Sequence, residues 1–167
     1  IADVWVDGDG TVWALVAFSY SEFSGLWGWT RADLLAPVVA GGEVTVAPSI
    51  VHPMPELLHA EDLLAVGDDL FVSVFDSNRV FRYTRTNLAG TMTPAAEIRF
   101  VDALDIEQSG PTNMAFSNGQ IWLTLWTAPM VVPFSPTADG PVLIVPLTAG
   151  VTDLPSGMDA DAAGTVW

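Results

Sequence analysis

The chain has no cysteine and no lysine. Without cysteine it can build neither a disulfide framework nor a thiolate metal site. Without lysine, its five basic residues are all arginine (Arg31, Arg79, Arg82, Arg85 and Arg99), set against twenty acids for a formal net charge of −15. A surface this acidic repels phosphate backbones and anionic lipid, which excludes nucleic-acid binding and membrane docking as leading functions. Long apolar runs are missing as well. The uncharged stretch 108–138 is cut by Pro111, Pro129, Pro133 and Pro136 and alternates polar with apolar residues. A membrane-spanning helix needs about 20 consecutive apolar residues, so short strands are expected instead and no membrane insertion. Charge is sparse too. At 50% apolar and 15% charged residues, the composition is the reverse of a disordered chain.

What is present is repetition. Asp7-Gly8-Asp9-Gly10 leads into Thr11-Val12-Trp13-Ala14-Leu15-Val16, and Gly67-Asp68 into Asp69-Leu70-Phe71-Val72-Ser73-Val74. Ser117-Asn118-Gly119 leads into Gln120-Ile121-Trp122-Leu123-Thr124-Leu125, and a fourth copy starts at Ala163-Gly164-Thr165-Val166-Trp167. With the aromatic as ruler, Trp13, Phe71, Trp122 and Trp167 are 58, 51 and 45 residues apart. Trp29-Thr30-Arg31-Ala32-Asp33-Leu34 also matches Tyr83-Thr84-Arg85-Thr86-Asn87-Leu88, and each is followed by a β-like run, 44–51 and 95–100. Periods near 40–50 with several strands each belong to propeller blades, whose small sheets bury their faces by stacking on their neighbours.

The fold expected is therefore all-β. It is a β-propeller-like array of four-stranded antiparallel blades, with about three complete repeats and the start of a fourth. The repeats run approximately over 1–54, 55–108, 109–153 and, truncated, 154–167. Strands are expected near 61–66, 69–75, 78–84 and 95–100 in the second repeat, and near 112–117, 120–126, 130–134 and 142–147 in the third. Pro55 to Leu64 has helix-like apolar spacing with a proline start, but the repeat claims 61–66, which leaves room for one helical turn. Trp13, Phe71 and Trp122 are expected to be buried at equivalent places on successive second strands.

Pro111-Thr112-Asn113-Met114-Ala115-Phe116 and Pro155-Ser156-Gly157-Met158-Asp159-Ala160-Asp161 resemble the opening of NHL-type propeller blades. Asp76-Ser77-Asn78-Arg79-Val80-Phe81-Arg82-Tyr83 is similar to the hand-over from second to third strand in such blades. The resemblance implies architecture and is almost silent on activity, because propellers host many unrelated functions. The gluconolactonase-like calcium hydrolases are a neighbouring propeller family, and in them the start of each innermost strand points a metal ligand into the central channel. Aligned on Val4, Leu63, Met114 and Met158, the corresponding residues here are Ala2, Glu61, Thr112 and Ser156. Calcium takes roughly six to eight oxygen ligands, usually with several carboxylates. One carboxylate and two hydroxyls do not retain that set. No metal and no cofactor are expected, and Glu61, Thr112 and Ser156 stand as candidate channel-facing residues. The next column, Asp3, Asp62, Asn113 and Gly157, reads as turn chemistry before it reads as an oxygen-ligand ring.

Other candidates are weaker. Asp7-Gly8-Asp9-Gly10 lacks the further acids of a calcium loop, and its counterpart Asp161-Ala162-Ala163-Gly164 has lost one, as suits a plain β-turn. His52 and His59, seven apart, do not match the i, i+4 spacing of a helical zinc pair. No Gly-x-Ser-x-Gly elbow and no phosphate-cradling loop occur. Tyr20, Phe23, Trp27 and Trp29 form an aromatic-rich region of the first repeat, fit either to stack on a glycan or protein partner or to pack on the blade edge.

The reading favoured by these residues is a non-catalytic scaffold or interaction module of an exported protein, extracellular or periplasmic, that presents loops to a protein or glycan. The alternative is a propeller hydrolase or lyase with its site in the central channel, Glu61 being the acid that lines it. The sequence opens Ile-Ala-Asp, with neither a starting methionine nor a leader, so any signal peptide is expected to be removed or to lie outside it. Both ends look like cuts through a repeat. A protein partner or further blades of the same polypeptide are expected at both sheet ends, and the isolated chain is not expected to be a well-behaved monomer.

Overall fold

The computed structural model describes residues 1–17, 24–35, 45–85, 92–102, 104, 106–107, 110–126, 130–144 and 158–166. Over these residues the chain is all-β and forms three sheets. The first is an antiparallel meander of β1 (Asp3–Val6), β2 (Val12–Val16), β3 (Gly25–Trp29) and β4 (Ile50–Pro53). The second carries β5 (Ala60–Val66), β6 (Asp69–Val74), β7 (Arg79–Thr84) and β8 (Ala96–Val101). The third consists of β9 (Pro111–Ser117), β10 (Gln120–Leu125) and β11 (Met130–Phe134). β12 (Gly140–Leu143) completes the list of strands. No helix among the described residues is long and apolar enough to cross a membrane.

Turn chemistry sets the strand limits. Gly67, Asn78, Asn118 and Gly119 all have positive φ, the conformation that closes the tight connections after β5, β6 and β9. Between turns the side chains alternate, so each sheet shows one apolar face to each neighbour. In β6, Leu70, Val72 and Val74 pack with Trp13 and Leu15 of the first sheet. Phe71 points the other way, into a second cluster with Met114, Ile121, Leu123 and Phe134 of the third sheet. Each junction between sheets is thus a separate apolar core.

The repeat alignment holds at the level of register. Trp13 lies opposite Trp5, Phe71 opposite Leu64 and Trp122 opposite Ala115, each one residue after the aligned Val4, Leu63 and Met114. Trp13 and Phe71 are buried, at 3% and 0% exposure. Trp122 is only half-buried, since it faces away from the second sheet. Trp167 lies outside the described residues.

Two strand expectations need correction. The run 44–51 does not form the fourth strand of the first sheet. That strand is Ile50–Pro53, and residues 45–48 carry no strand. The expected fourth strand of the third repeat, near 142–147, is also displaced. Gly140–Leu143 pairs in parallel with β8, so among the described residues it extends the second sheet to five strands in the order β12-β8-β7-β6-β5 and leaves the third with three; 145–147 lie outside the described residues. The free edge of β8 offers Val101 O, which accepts the Ile144 N–H at 2.8 Å, and Ile144 joins the second core. The helical turn before β5 is a 3-10 turn, Pro55–Leu57.

Candidate functional site

The ends of β1, β5 and β9 hold the residues that the sequence brings into question. Asp3, Asp62 and Asn113 are the residues just before the aligned Val4, Leu63 and Met114. Asp3 Oδ2 accepts the Leu63 N–H at 3.1 Å, and Asp62 Oδ2 accepts the Met114 N–H at 2.5 Å. Each carboxylate therefore reaches across one junction to the innermost strand of the next sheet. The sequence reading of this column was turn chemistry; instead Asp3 and Asp62 lie within strands, outside the left-handed region, and each latches a neighbouring sheet. Burial, with the nearby Asp3 charge, pushes Asp62 up to about 7, although the Met114 N–H pulls the other way.

One residue earlier stand Ala2, Glu61 and Thr112. Thr112 is buried, its hydroxyl 2.6 Å from that of Thr124, while Ser73 donates to the Thr112 carbonyl at 2.5 Å. Glu61 is exposed, and it sits where the β5–β6 register shifts between Ala60 and Asp62, a bulge. Ser156 lies outside the described residues.

Beside Glu61 the structure assembles a group that sequence reasoning missed. His59 Nδ1 pairs with the Asp76 carboxylate, 17 positions along the chain, and its Nε2 is buried without a hydrogen-bond partner among the described residues. Partial burial raises the Glu61 pKa, His59 lowers it and Asp76 raises it again, which puts the three groups within electrostatic reach. His59 has φ 56°, a left-handed conformation rare for residues other than glycine. Its equivalent in the third sheet is Gly110, φ 75°: the Phe75 N–H donates to His59 O as the Trp126 N–H donates to Gly110 O. Sliding the second repeat 51 residues onto the third would have exposed the difference. His59, Glu61 and Asp76 fall on Gly110, Thr112 and Thr127, so the third repeat carries none of the three titratable groups. Strained non-glycine backbone and bulges concentrate at functional sites.

The remaining candidates among the described residues make local contacts. Asp7 Oδ1 accepts the Asp9 and Thr11 N–H groups at 3.1 and 3.2 Å, and Asp7 Oδ2 accepts from Trp13 Nε1 at 3.1 Å. Asp161 Oδ1 repeats the arrangement with Ala163 and Thr165, both at 2.9 Å. Gly10 and Gly164, φ 87° and 84°, close the two turns alike. His52 is buried and stacks on Trp13 with ring centroids 6.2 Å apart. Trp27 and Trp29 lie half-buried on β3, and the Trp29 indole donates to Val46 O at 2.9 Å. Tyr20 and Phe23 lie outside the described residues. Among the described residues, no group of three or more His, Asp or Glu side chains is disposed to hold a metal ion.

No protein-family model and no curated protein matches the chain. A solved structure of Myxococcus xanthus glutaminyl cyclase, with a propeller-like fold, superimposes with a TM-score of 0.56 over 98% of this chain at 13% identity. The match spans 64% of that enzyme's chain. At this identity the likeness concerns fold alone, and it points to a propeller-type architecture.

Proposed function

We propose that the chain is a stretch of β-propeller blades, related in architecture to NHL and gluconolactonase-like propellers, with blade limits near 1–54, 55–108, 109–153 and 154–167. Its role is that of an interaction module in an exported protein, and its partner is a protein or a glycan. The observation that carries this reading is the repeated junction: the same register, the same aromatic position and the same carboxylate latch recur from one sheet to the next. Val4, on the far face of the first sheet, is 53% exposed, while the equivalent Leu63 and Met114 are buried at 6% and 5%. A further blade or a protein partner on that face accounts for the contrast. Residues 1–167 alone are then expected to associate in solution. A monomer that unfolds cooperatively, by sedimentation and urea titration, refutes the reading.

A second reading is favoured by one specific observation, the His59–Asp76 pair beside Glu61. A carboxylate-held imidazole next to a carboxyl group whose pKa is raised supplies the acid and the base of a hydrolase or lyase. Metal analysis together with a panel of lactones tests it. Turnover by the wild type that falls at least about 100-fold in Glu61→Gln, with unfolding unchanged, establishes the enzyme reading. Turnover equal in both proteins removes Glu61 from it.

A further inference from the structure

The latch column contains more than two separate hydrogen bonds. Asp3 on β1 and Asp62 on β5 occupy equivalent positions of adjacent repeats, and both carboxylates reach the same backbone N–H, that of Leu63, at 3.1 Å from Asp3 Oδ2 and 3.0 Å from Asp62 Oδ1. Each already accepts a backbone N–H of the following sheet, and each also accepts the N–H of its own next residue: Val4 to Asp3 at 2.7 Å and Leu63 to Asp62 at 3.0 Å. Two carboxylates this close cannot both ionise without repulsion, and no arginine is among the groups that act on Asp62. The groups around Asp62 are few. Asp3 faces it from β1, and Ser73, its cross-strand partner on β6, is uncharged. Thr112, Asn113 and Met114 of β9 carry no charge, and Glu61 precedes it on the bulge, turned to solvent. The third repeat keeps the acceptor and drops the charge, with Asn113 in the same place.

We propose that Asp62 is protonated beside the Asp3 carboxylate in the packed protein and acts as a proton-operated bolt: its deprotonation sets two carboxylates against each other and loosens the first sheet from the second. The inference stands on the junction between these two sheets and does not depend on ring closure or on the role of Glu61.

The sign follows from linkage. A carboxyl group held at about 7 in the folded protein and near 3.8 when unfolded contributes stability that is fully present below about pH 4 and is lost as the pH rises to about 7. Asp9 and Asp33 are lowered by hydrogen bonds, Asp9 to about 2, so their contributions change only in more acid solution. Glu61 is raised and adds a slope of the same sign, which substitution of Asp62 leaves in place.

The test is urea unfolding of the full chain between pH 4.5 and 8.5, with Asp62→Asn, Asp3→Asn and, as a control on an exposed turn, Asp68→Asn. In the wild type and in Asp68→Asn, the folding equilibrium constant is expected to fall at least about tenfold more across that range than in Asp62→Asn. Asp3→Asn, which keeps its acceptor but loses its charge, is expected to flatten the slope as well. Amide protection of Leu63 and Met114 in the wild type should weaken toward pH 8.5 ahead of global unfolding. If Asp62→Asn does not fold, Asp3→Asn with the amide measurement decides. A pH slope as steep as the wild type's in both variants, or junction amides equally protected at both ends of the range, overturns the bolt.

Discussion

Phe71→Ala is expected to destabilise the protein by about 3–5 kcal/mol, the range for removing a buried aromatic ring. Phe71 has no exposed surface and lies between the second and third sheets, where its ring meets Phe134 edge-on at 6.4 Å. Phe134 in turn meets Phe100 at 5.4 Å, so the cavity opens inside an aromatic cluster that cannot collapse without moving two sheets. Trp13, at the same register position one sheet earlier, is braced by His52 and by the bond from its indole to Asp7, and Trp13→Ala is expected to cost a similar amount. Trp122→Ala should cost visibly less, because that ring is half-buried and its indole makes one long bond, 3.4 Å to Ser117 O. Urea titration of the three variants checks the order. A loss at Trp122 as large as at Phe71 would mean that the far face of the third sheet is covered in solution as fully as the junction.

The second repeat was the most legible part of the sequence. Its observed strands fall within about a residue of the expected limits, because Gly67-Asp68 and Asp76-Ser77-Asn78 punctuate it and the apolar pattern alternates cleanly between them. The outermost strands were less legible. A β-like run states that a segment will pair, not with which edge. Gly140–Leu143 chose the open edge of β8, an outcome that depends on tertiary proximity and on no local signal. In the first sheet, Ser49 N–H already bonds Gly28 O at 3.0 Å, which fixes where β4 begins irrespective of the Val-Thr-Val run before it.

The site divides in the same way. The column of Asp3, Asp62 and Asn113 was visible in the alignment, but as turn chemistry; in the structure Asp3 and Asp62 lie in strands and have a latching role. That role is tertiary, since the acceptors of Asp3 and Asp62 serve amides 60 and 52 positions away. Asp76 was hidden for another reason. It sits in a turn whose composition already explains it, so nothing in the sequence asks for a further duty. Only the pairing of β5 with β6 brings it to His59. Comparison between repeats of one chain recovers this information, because a shared backbone frame makes any departure in side-chain chemistry conspicuous.

Gly25→Ala is the other substitution expected to act strongly, at or above the top of the roughly 1–3 kcal/mol range for overpacking. The backbone of Gly25 is not in the left-handed region, so the constraint is space alone. A Cβ there would lie 2.0 Å from His52 O, 3.0 Å from His52 C and 3.1 Å from Met54 N. These are backbone atoms of β4 and the residue after it, held by the pairing of Gly25 with Pro53 and by the bond from Met54 N–H to Ser24 O at 2.8 Å. Neither side can give way without parting β3 from β4. Gly28, three residues on, makes the control: its Cβ would meet the Trp13 ring at 2.8 Å and the Ile50 side chain at 3.2 Å, groups that can tilt. Gly28→Ala is therefore expected to be the milder variant, and a Gly25→Ala protein as stable as Gly28→Ala in urea would show that β4 is free to shift. The effect should also travel. Met54 and Leu57 are buried in the first core, and the same short segment leads directly into His59, Glu61 and Asp62. Displacing β4 therefore pulls on the start of β5, and the amide of Leu63, held by Asp3, should lose protection in Gly25→Ala before the amides of β10 do.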